Sequence, residues 1–267
     1  MKHPVVDDEK LRAVIQKSLE EFYRRRLDKL GKLKLRGLLK RKNPYLFRAL
    51  GIQKGPELVE QFMASFVWSS DEGIFGDAFF EKVARDFCGL GSAPTDGIDF
   101  VIEDENEIIA ISLKSGPNIY NASQTKKQAQ EFQNHHNRVR NQKKKYTAIL
   151  AAGYGNVNKP PSESKNFSHI AGQAFWSFIT GDDVFYLKLH RLMGDVPQIQ
   201  NPQHKEEWSR LVNRFSKEFL ADFTTVNDTI DWDKLVSFNS GVPIKKTVKS
   251  AKIEMPVAKK AKGKARQ

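Results

Sequence analysis

Apolar residues recur at helical spacing over residues 7–30. Leu11, Val14, Ile15, Leu19, Phe22 and Leu30 alternate with charged positions, and Gly31 follows. A short basic and apolar stretch over 33–41 comes next, and Asn43-Pro44 breaks it. A second helix is predicted over 56–68, with Pro56 near its first turn. Ser69-Ser70-Asp71-Glu72 offers caps for a third helix, which carries Phe75, Phe79, Phe80, Val83, Ala84 and Phe87. Gly89-Leu90-Gly91 ends it, and the pattern then changes from helical to alternating. Gly97–Ile102 and Ile108–Lys114 read as two strands around the polar stretch Glu103–Glu107. A long polar helix follows over about 124–144, with Ser123 as its cap. Ala129, Phe132, His136 and Val139 form its thin apolar stripe. Residues 146–152 read as a buried strand ending at Gly153-Tyr154-Gly155, and 156–167, with Pro160-Pro161, as a loop. Beyond it lie a Gly-Gln-aromatic segment (172–178), an apolar run (184–189) and an amphipathic helix over 203–222. A last short element starts at 230–235, and from about 240 the chain is rich in Lys, Ala and Val with little to bury, the composition of a disordered tail.

This order predicts an α/β fold of the mixed α+β kind. Its core is helix, strand, strand, helix, strand, with a mixed central sheet flanked by helices and further helices at both ends. The strand-helix-strand step after the hairpin implies a right-handed parallel crossover. The expected divisions are a basic helical segment over 1–55, a central domain over 56–238 and a tail over 239–267.

The hairpin is where chemistry concentrates. If Glu105-Asn106 is a two-residue loop, residue i faces residue 211 − i, and Asp99 lies opposite Ser112. Lys114 shares the face of Ser112, while Ile98, Phe100, Ile109, Ile111 and Leu113 fill the other. A carboxylate able to hold Mg²⁺ beside a lysine able to steady a developing negative charge suits phosphodiester hydrolysis. Read from the hairpin alone, an ordinary charged rim is the alternative.

Composition narrows the setting. The chain has 267 residues, 39% of them hydrophobic, enough to build a core. Cys88 is the single cysteine, so an intrachain disulfide and a cysteine-based zinc site are excluded. Apolar runs fall short of the roughly 20 residues a membrane helix needs, and the first residues lack a signal-like apolar core. A soluble cytoplasmic protein is expected. The net charge is +12, and it is concentrated. Residues 24–42 carry +9 and residues 245–267 carry +8, which leaves the rest slightly acidic. Such segments suit a nucleic-acid backbone, although a solvated helix face and a solubilising tail would look the same. Asn134-His135-His136-Asn137 hints at an HNH-type site, but its place within a helix favours surface and core roles.

Five segments, in order, resemble the PD-(D/E)xK nuclease superfamily and, within it, the PmeII-like type II restriction endonucleases. They are Lys42-Asn43-Pro44-Tyr45-Leu46-Phe47-Arg48-Ala49, Ser69-Ser70-Asp71-Glu72-Gly73-Ile74-Phe75-Gly76, Gly97-Ile98-Asp99, Ser112-Leu113-Lys114-Ser115-Gly116-Pro117-Asn118, and Gly172-Gln173-Ala174-Phe175-Trp176. The resemblance implies that Asp99 is the first acid and Lys114 the lysine of the motif. Ser112 stands at the second acidic position, a departure from the general pattern. Serine is a poorer Mg²⁺ ligand than a carboxylate, so a second carboxylate is expected from Glu81 on the preceding helix, or from Glu72. The backbone carbonyl of Leu113 is a further implied metal ligand. Asp96, in Pro94-Thr95-Asp96, competes with Asp99 for the first position.

The implied activity is Mg²⁺-dependent, sequence-specific double-strand cutting of DNA that leaves 5′-phosphate and 3′-hydroxyl ends. The implied assembly is a homodimer on a palindromic site, with a possible cognate DNA methyltransferase acting on the same sequence. Base readout is expected from Asn118, Asn121, Gln124, Lys126 and Lys127. Two other functions stay open: a non-catalytic DNA-binding protein on a decayed nuclease fold, which Ser112 suggests, and a structure-specific repair or junction nuclease.

Overall fold

The computed structural model of the chain describes residues 3–93, 95–118, 120–162, 165–227 and 229–243. Helix α1 spans Asp8–Gly31, with the Asp7 side chain accepting from the backbone N–H groups of Glu9 and Lys10. Two short helices follow, α2 (Leu35–Leu39) and α3 (Pro44–Ala49), the latter capped by Asn43 with Pro44 in its first turn. Helix α4 runs over Gly55–Phe75. Ser69-Ser70-Asp71-Glu72 lies inside it and caps nothing, contrary to the sequence expectation. The helix passes through a π-helical stretch, Gly76–Glu81, and continues as α5 (Lys82–Asp86). The polar side chains at 71 and 72 do not turn back on their own backbone because distant partners hold them. Arg26 Nε donates to Asp71 at 2.7 Å, and Ser115 Oγ donates to Glu72 at 2.6 Å.

A six-stranded sheet follows, built from β1 (Gly91–Ser92), β2 (Phe100–Glu103), β3 (Glu107–Lys114), β4 (Lys145–Ala152), β5 (Asn158–Lys159) and β6 (Ser168–Ala171). Their spatial order is β1-β2-β3-β4-β6-β5. Strands β2 and β3 pair antiparallel from Phe100↔Ile111 to Glu103↔Ile108, the register the two-residue loop predicts. Strand β2 starts at Phe100 rather than Gly97, because residues 95–97 make a turn with Gly97 at φ 77°. That turn sends Ile98 to the opposite face from Phe100, where it packs with Phe132, Ala148 and Leu150. The expected single apolar face therefore loses Ile98.

Strands β3 and β4 pair parallel, joined through α6 (Ala122–Val139). Asn121 caps α6, not Ser123, in a reciprocal capping box with Gln124. Strand β6 pairs parallel with β4 and antiparallel with β5, which forms within the stretch read as loop. Four more helices complete the fold: α7 (Gln173–Thr180), α8 (Phe185–Leu192), α9 (Val196–Phe223) and α10 (Trp232–Asn239).

Both faces of β3 are buried. Ile109, Ile111 and Leu113 pack toward Leu11, Ile15, Phe79, Trp176 and Phe185, and Ala110 packs toward Phe132 beneath α6. A separate apolar cluster joins α2, α3, α4, α9 and α10 through Leu38, Phe47, Phe62, Phe215 and Phe238. Helix α1 contributes to both large clusters, with Leu11 and Leu19 in one and Leu30 in the other. No helix of the described residues is long and apolar enough to cross a membrane. The expected disordered tail lies outside the described residues from 244 onward.

Candidate active site

The site forms where the start of β2, the end of β3 and the π-helical stretch meet. Asp99 precedes β2 and is held in register by its N–H, which donates to Ile111 O at 2.9 Å. Its Oδ2 accepts from the Leu113 backbone N–H at 2.7 Å, from Ser112 Oγ at 3.3 Å and from Lys114 Nζ at 3.3 Å. Ser112 is fully buried, while Asp99 and Lys114 keep about a quarter of their side chains exposed. The structure thus brings together three of the residues singled out in the sequence, Asp99, Ser112 and Lys114.

Burial alone would lower the Lys114 ammonium pKa. The Asp99 carboxylate, with smaller contributions from Tyr120 and Glu81, outweighs burial and raises it above its ordinary 10.5. Lys114 is therefore a fixed positive charge at neutral pH.

Glu81 stands at the end of the π-helical stretch, which packs against β3. Its carboxyl is pushed up from 4.5 to about 7, first by burial, then by the negative charges of Asp99 and Asp77. Lys114 and Arg85 pull in the other direction. Arg85 approaches Glu81 at 3.9 Å. Mutual coupling places Glu81 in the electrostatic field of Asp99 and Lys114. Asp77 is an addition that spacing in the sequence did not single out. It is one helical turn before Glu81 on the helix predicted through Phe75 and Phe87, and its nearness to the site is set by packing.

Glu72 has a different environment. Its Oε1 accepts from Ser115 Oγ at 2.6 Å and from Tyr154 OH at 3.1 Å. It ties α4 to the residue that follows Lys114. Gly76 lets the two backbones approach, since a Cβ there would lie 3.1 Å from the Cβ of Ser115. Asp96 lies in the turn before Asp99, on the rim of a cleft shared with Lys114, Tyr120, Gln124, Lys127 and Glu131.

Among the described residues no three His, Cys, Asp or Glu side chains cluster closely enough to form a metal site on their own. The donor set nevertheless suits a hard cation. Asp99 and Glu81 offer carboxylate oxygen, and the pKa of Glu81 is raised first by burial and then by the charge of Asp99, a cost that a bound cation would offset.

The residues expected to read bases take several places. Asn118 is exposed in the turn after β3. Asn121 and Gln124 commit one amide oxygen each to the capping box of α6. Lys126 and Lys127 are exposed on α6, and Lys127 approaches Glu131 at 3.6 Å. His135 and His136 pack on Tyr146, His135 through Nδ1 at 3.1 Å and His136 by ring stacking, which is the core role expected for them. Gln128 is a positioning residue with no clear sign in the sequence. Buried on α6, it donates to Gly97 O at 2.8 Å and accepts from Tyr120 OH at 2.8 Å. It pins the turn that delivers Asp99.

The Gly172-Gln173-Ala174-Phe175-Trp176 segment is a packing device. Gly172 has φ 55°, and a Cβ there would lie 2.3 Å from Gly155 O. Phe175 and Trp176 are fully buried, and Trp176 Nε1 donates to Gly153 O at 2.8 Å. The segment locks the end of β4 beside the site.

The family described as Type II restriction endonuclease EcoO109I matches residues 9–201, from α1 into α9. The matched stretch contains Glu72, Asp77, Glu81, Asp99, Ser112 and Lys114. No curated protein matches the chain.

Proposed function

Because the chain belongs to the type II restriction endonuclease EcoO109I family, we propose that it is a Mg²⁺-dependent endonuclease cutting both strands of DNA at a specific sequence. The observation that carries this reading is the contact of Lys114 Nζ with Asp99 Oδ2 at 3.3 Å, beside a Glu81 carboxyl pushed up to about 7. Asp99 and Glu81, with the Leu113 carbonyl, would hold Mg²⁺, which when bound supplies Lewis-acid polarisation of the phosphate. Lys114, kept protonated by Asp99, offsets the charge that develops on the phosphate and orients the attacking water. It is a poor general base in that state. Ser112 replaces a carboxylate and orients Asp99 through its hydroxyl. Hydrolysis leaves 5′-phosphate and 3′-hydroxyl ends.

A two-fold homodimer gives each strand of a palindromic target one site. Asn118, Lys126 and Lys127, with the free amide groups of Asn121 and Gln124, face the DNA as base or backbone contacts. The protein acts in the cytoplasm, alongside a methyltransferase that modifies the same sequence. A place in the PmeII-like branch is a finer reading that rests on the five short segments alone.

Ser112 also favours a second reading, a DNA-binding protein that has lost cleavage. Incubation of the wild type with phage DNA and MgCl₂ separates the two. Discrete fragments with ligatable 5′-phosphate ends are expected, and their loss in EDTA. Sequence-specific binding without any cutting, over a range of Mg²⁺ and Mn²⁺, would establish the second reading instead.

A further inference from the structure

The carboxyl ends of the parallel strands β3 and β4 meet the start of β6 on the α6 side of the sheet at a second opening. Its volume is about 270 Å³, room for one phosphodiester group with water around it. Lys114 lines it, so its occupant lies one side chain from the centre described above. Lys165 and His169 form its far wall, and Tyr120 and Thr125 line the α6 side, their hydroxyl hydrogens already given to Gln128 Oε1 and Asn121 O. No carboxylate lines it among the described residues, whereas the neighbouring cleft on the other side of Lys114 and Tyr120 carries Asp96 and Glu131. Lys165 is exposed and has no ion pair among the described residues. Lys159 stands opposite His169 in the β5–β6 register, and burial first, then the charges of Lys165 and Lys159, lower the His169 pKa, so the ring offers an N–H rather than a charge. An acid-free pocket lined by Lys114, Lys165 and an imidazole N–H suits an anion.

Resting on the DNA-cutting reading, we propose that Lys165 and His169, together with Lys114, form a second phosphate subsite holding the backbone phosphate next to the one that is cut. Consecutive phosphates of one strand would span the two openings, with Lys114 between them. Such a contact fixes the register of the strand without reading sequence.

The test uses the full chain and a short duplex carrying the sequence mapped from the ends of wild-type digestion products. Binding is measured in EDTA across a range of KCl concentrations. Lys165→Ala should lower the slope of log K against log[KCl] by about 0.9, the loss of one phosphate contact, and weaken binding on the order of threefold to tenfold at low salt. Lys165→Arg should restore both. A duplex with a neutral methylphosphonate beside the scissile position should bind the wild type weakly. Lys165→Ala/His169→Ala should be indifferent to that modification and remain sensitive to modifications elsewhere. A wild type that binds and cuts while the variants keep its slope and its methylphosphonate profile overturns the subsite alone. A wild type that neither binds nor cuts any duplex overturns the DNA reading and the subsite with it. Inorganic phosphate, at matched ionic strength, that stabilises the wild type but not the variants, with the DNA slopes unchanged, assigns the pocket to a free anion and also overturns the proposal.

Discussion

The pKa values of Lys114 and Glu81 are both raised, which keeps the first charged and lets the second hold a proton up to about 7. Lys114 is held charged, so its removal should act on the transition state more than on docking. Lys114→Ala should lower cleavage by at least about 10³-fold while duplex affinity in EDTA changes little, a difference read by single-turnover cleavage beside a binding titration. Wild-type-like turnover would remove Lys114 from the chemistry. Glu81 is raised from 4.5 to about 7 in the folded chain. Between those values the folded protein keeps a proton that the unfolded chain releases. Its contribution therefore favours folding fully below pH 4.5 and is lost as pH rises through 7. In EDTA, Glu81→Gln should stabilise the protein at pH 8 by on the order of 2–3 kcal/mol and leave it nearly unchanged at pH 4. Urea unfolding of both proteins at the two pH values checks this, and equal stability at pH 8 would contradict the assigned field.

Helices α6 and α9 each bury a polar group whose partner, or lack of one, matters. Gln128 of α6 bridges Gly97 O and Tyr120 OH. Gln128→Leu leaves the Gly97 carbonyl without its donor and loosens the turn before Asp99. A loss of about 1–3 kcal/mol in stability is expected, together with reduced cleavage, and chemical denaturation and cleavage rates would measure both. His204 of α9 is buried with Nε2 unpartnered among the described residues, and burial first, then the charge of Arg26, pushes its pKa from 6.5 down to about 4. The folded state excludes the proton that the unfolded chain binds. This contribution is present above pH 6.5 and lost as pH falls through 4. His204→Leu should flatten the decline of stability between pH 7 and pH 4 by on the order of 2–3 kcal/mol, as followed by urea unfolding at several pH values.

For the molecule as a whole, charge is divided between the helical segment at 24–42 and the segment at 245–267, which carries +8. Ion pairs absorb part of the first, through Arg24 and Arg25 with Glu21, Arg26 with Asp71 and Arg36 with Asp222. A chain ending at residue 243 should melt at nearly the same temperature, bind DNA more weakly at low salt and show a shallower salt dependence. Its cleavage sites should be unchanged. A truncated chain with altered sites would assign base readout to the removed segment.

The alternating pattern of 97–114 determined the hairpin register, because a side-chain period of two permits only one pairing across a two-residue loop, and with it the meeting of Asp99, Ser112 and Lys114. Helical spacing likewise determined α1, the heart of α6 and most of α9. Sequence could not decide whether Ser69–Glu72 stops a helix. Local capping preference favoured a stop, and it was overridden by Arg26 and Ser115, residues about 45 positions away in sequence. Asp77 and Glu81 share a turn of the helix predicted through Phe75 and Phe87 either way, and what packing adds is the nearness of that turn to Asp99. The pocket of Lys114, Lys165 and His169 was equally out of reach, since it exists only because the short strands β5 and β6 fold back beside β4. Local periodicity fixes elements and registers. Carboxylate coupling and a shared anion pocket depend on distances between elements, which only packing sets.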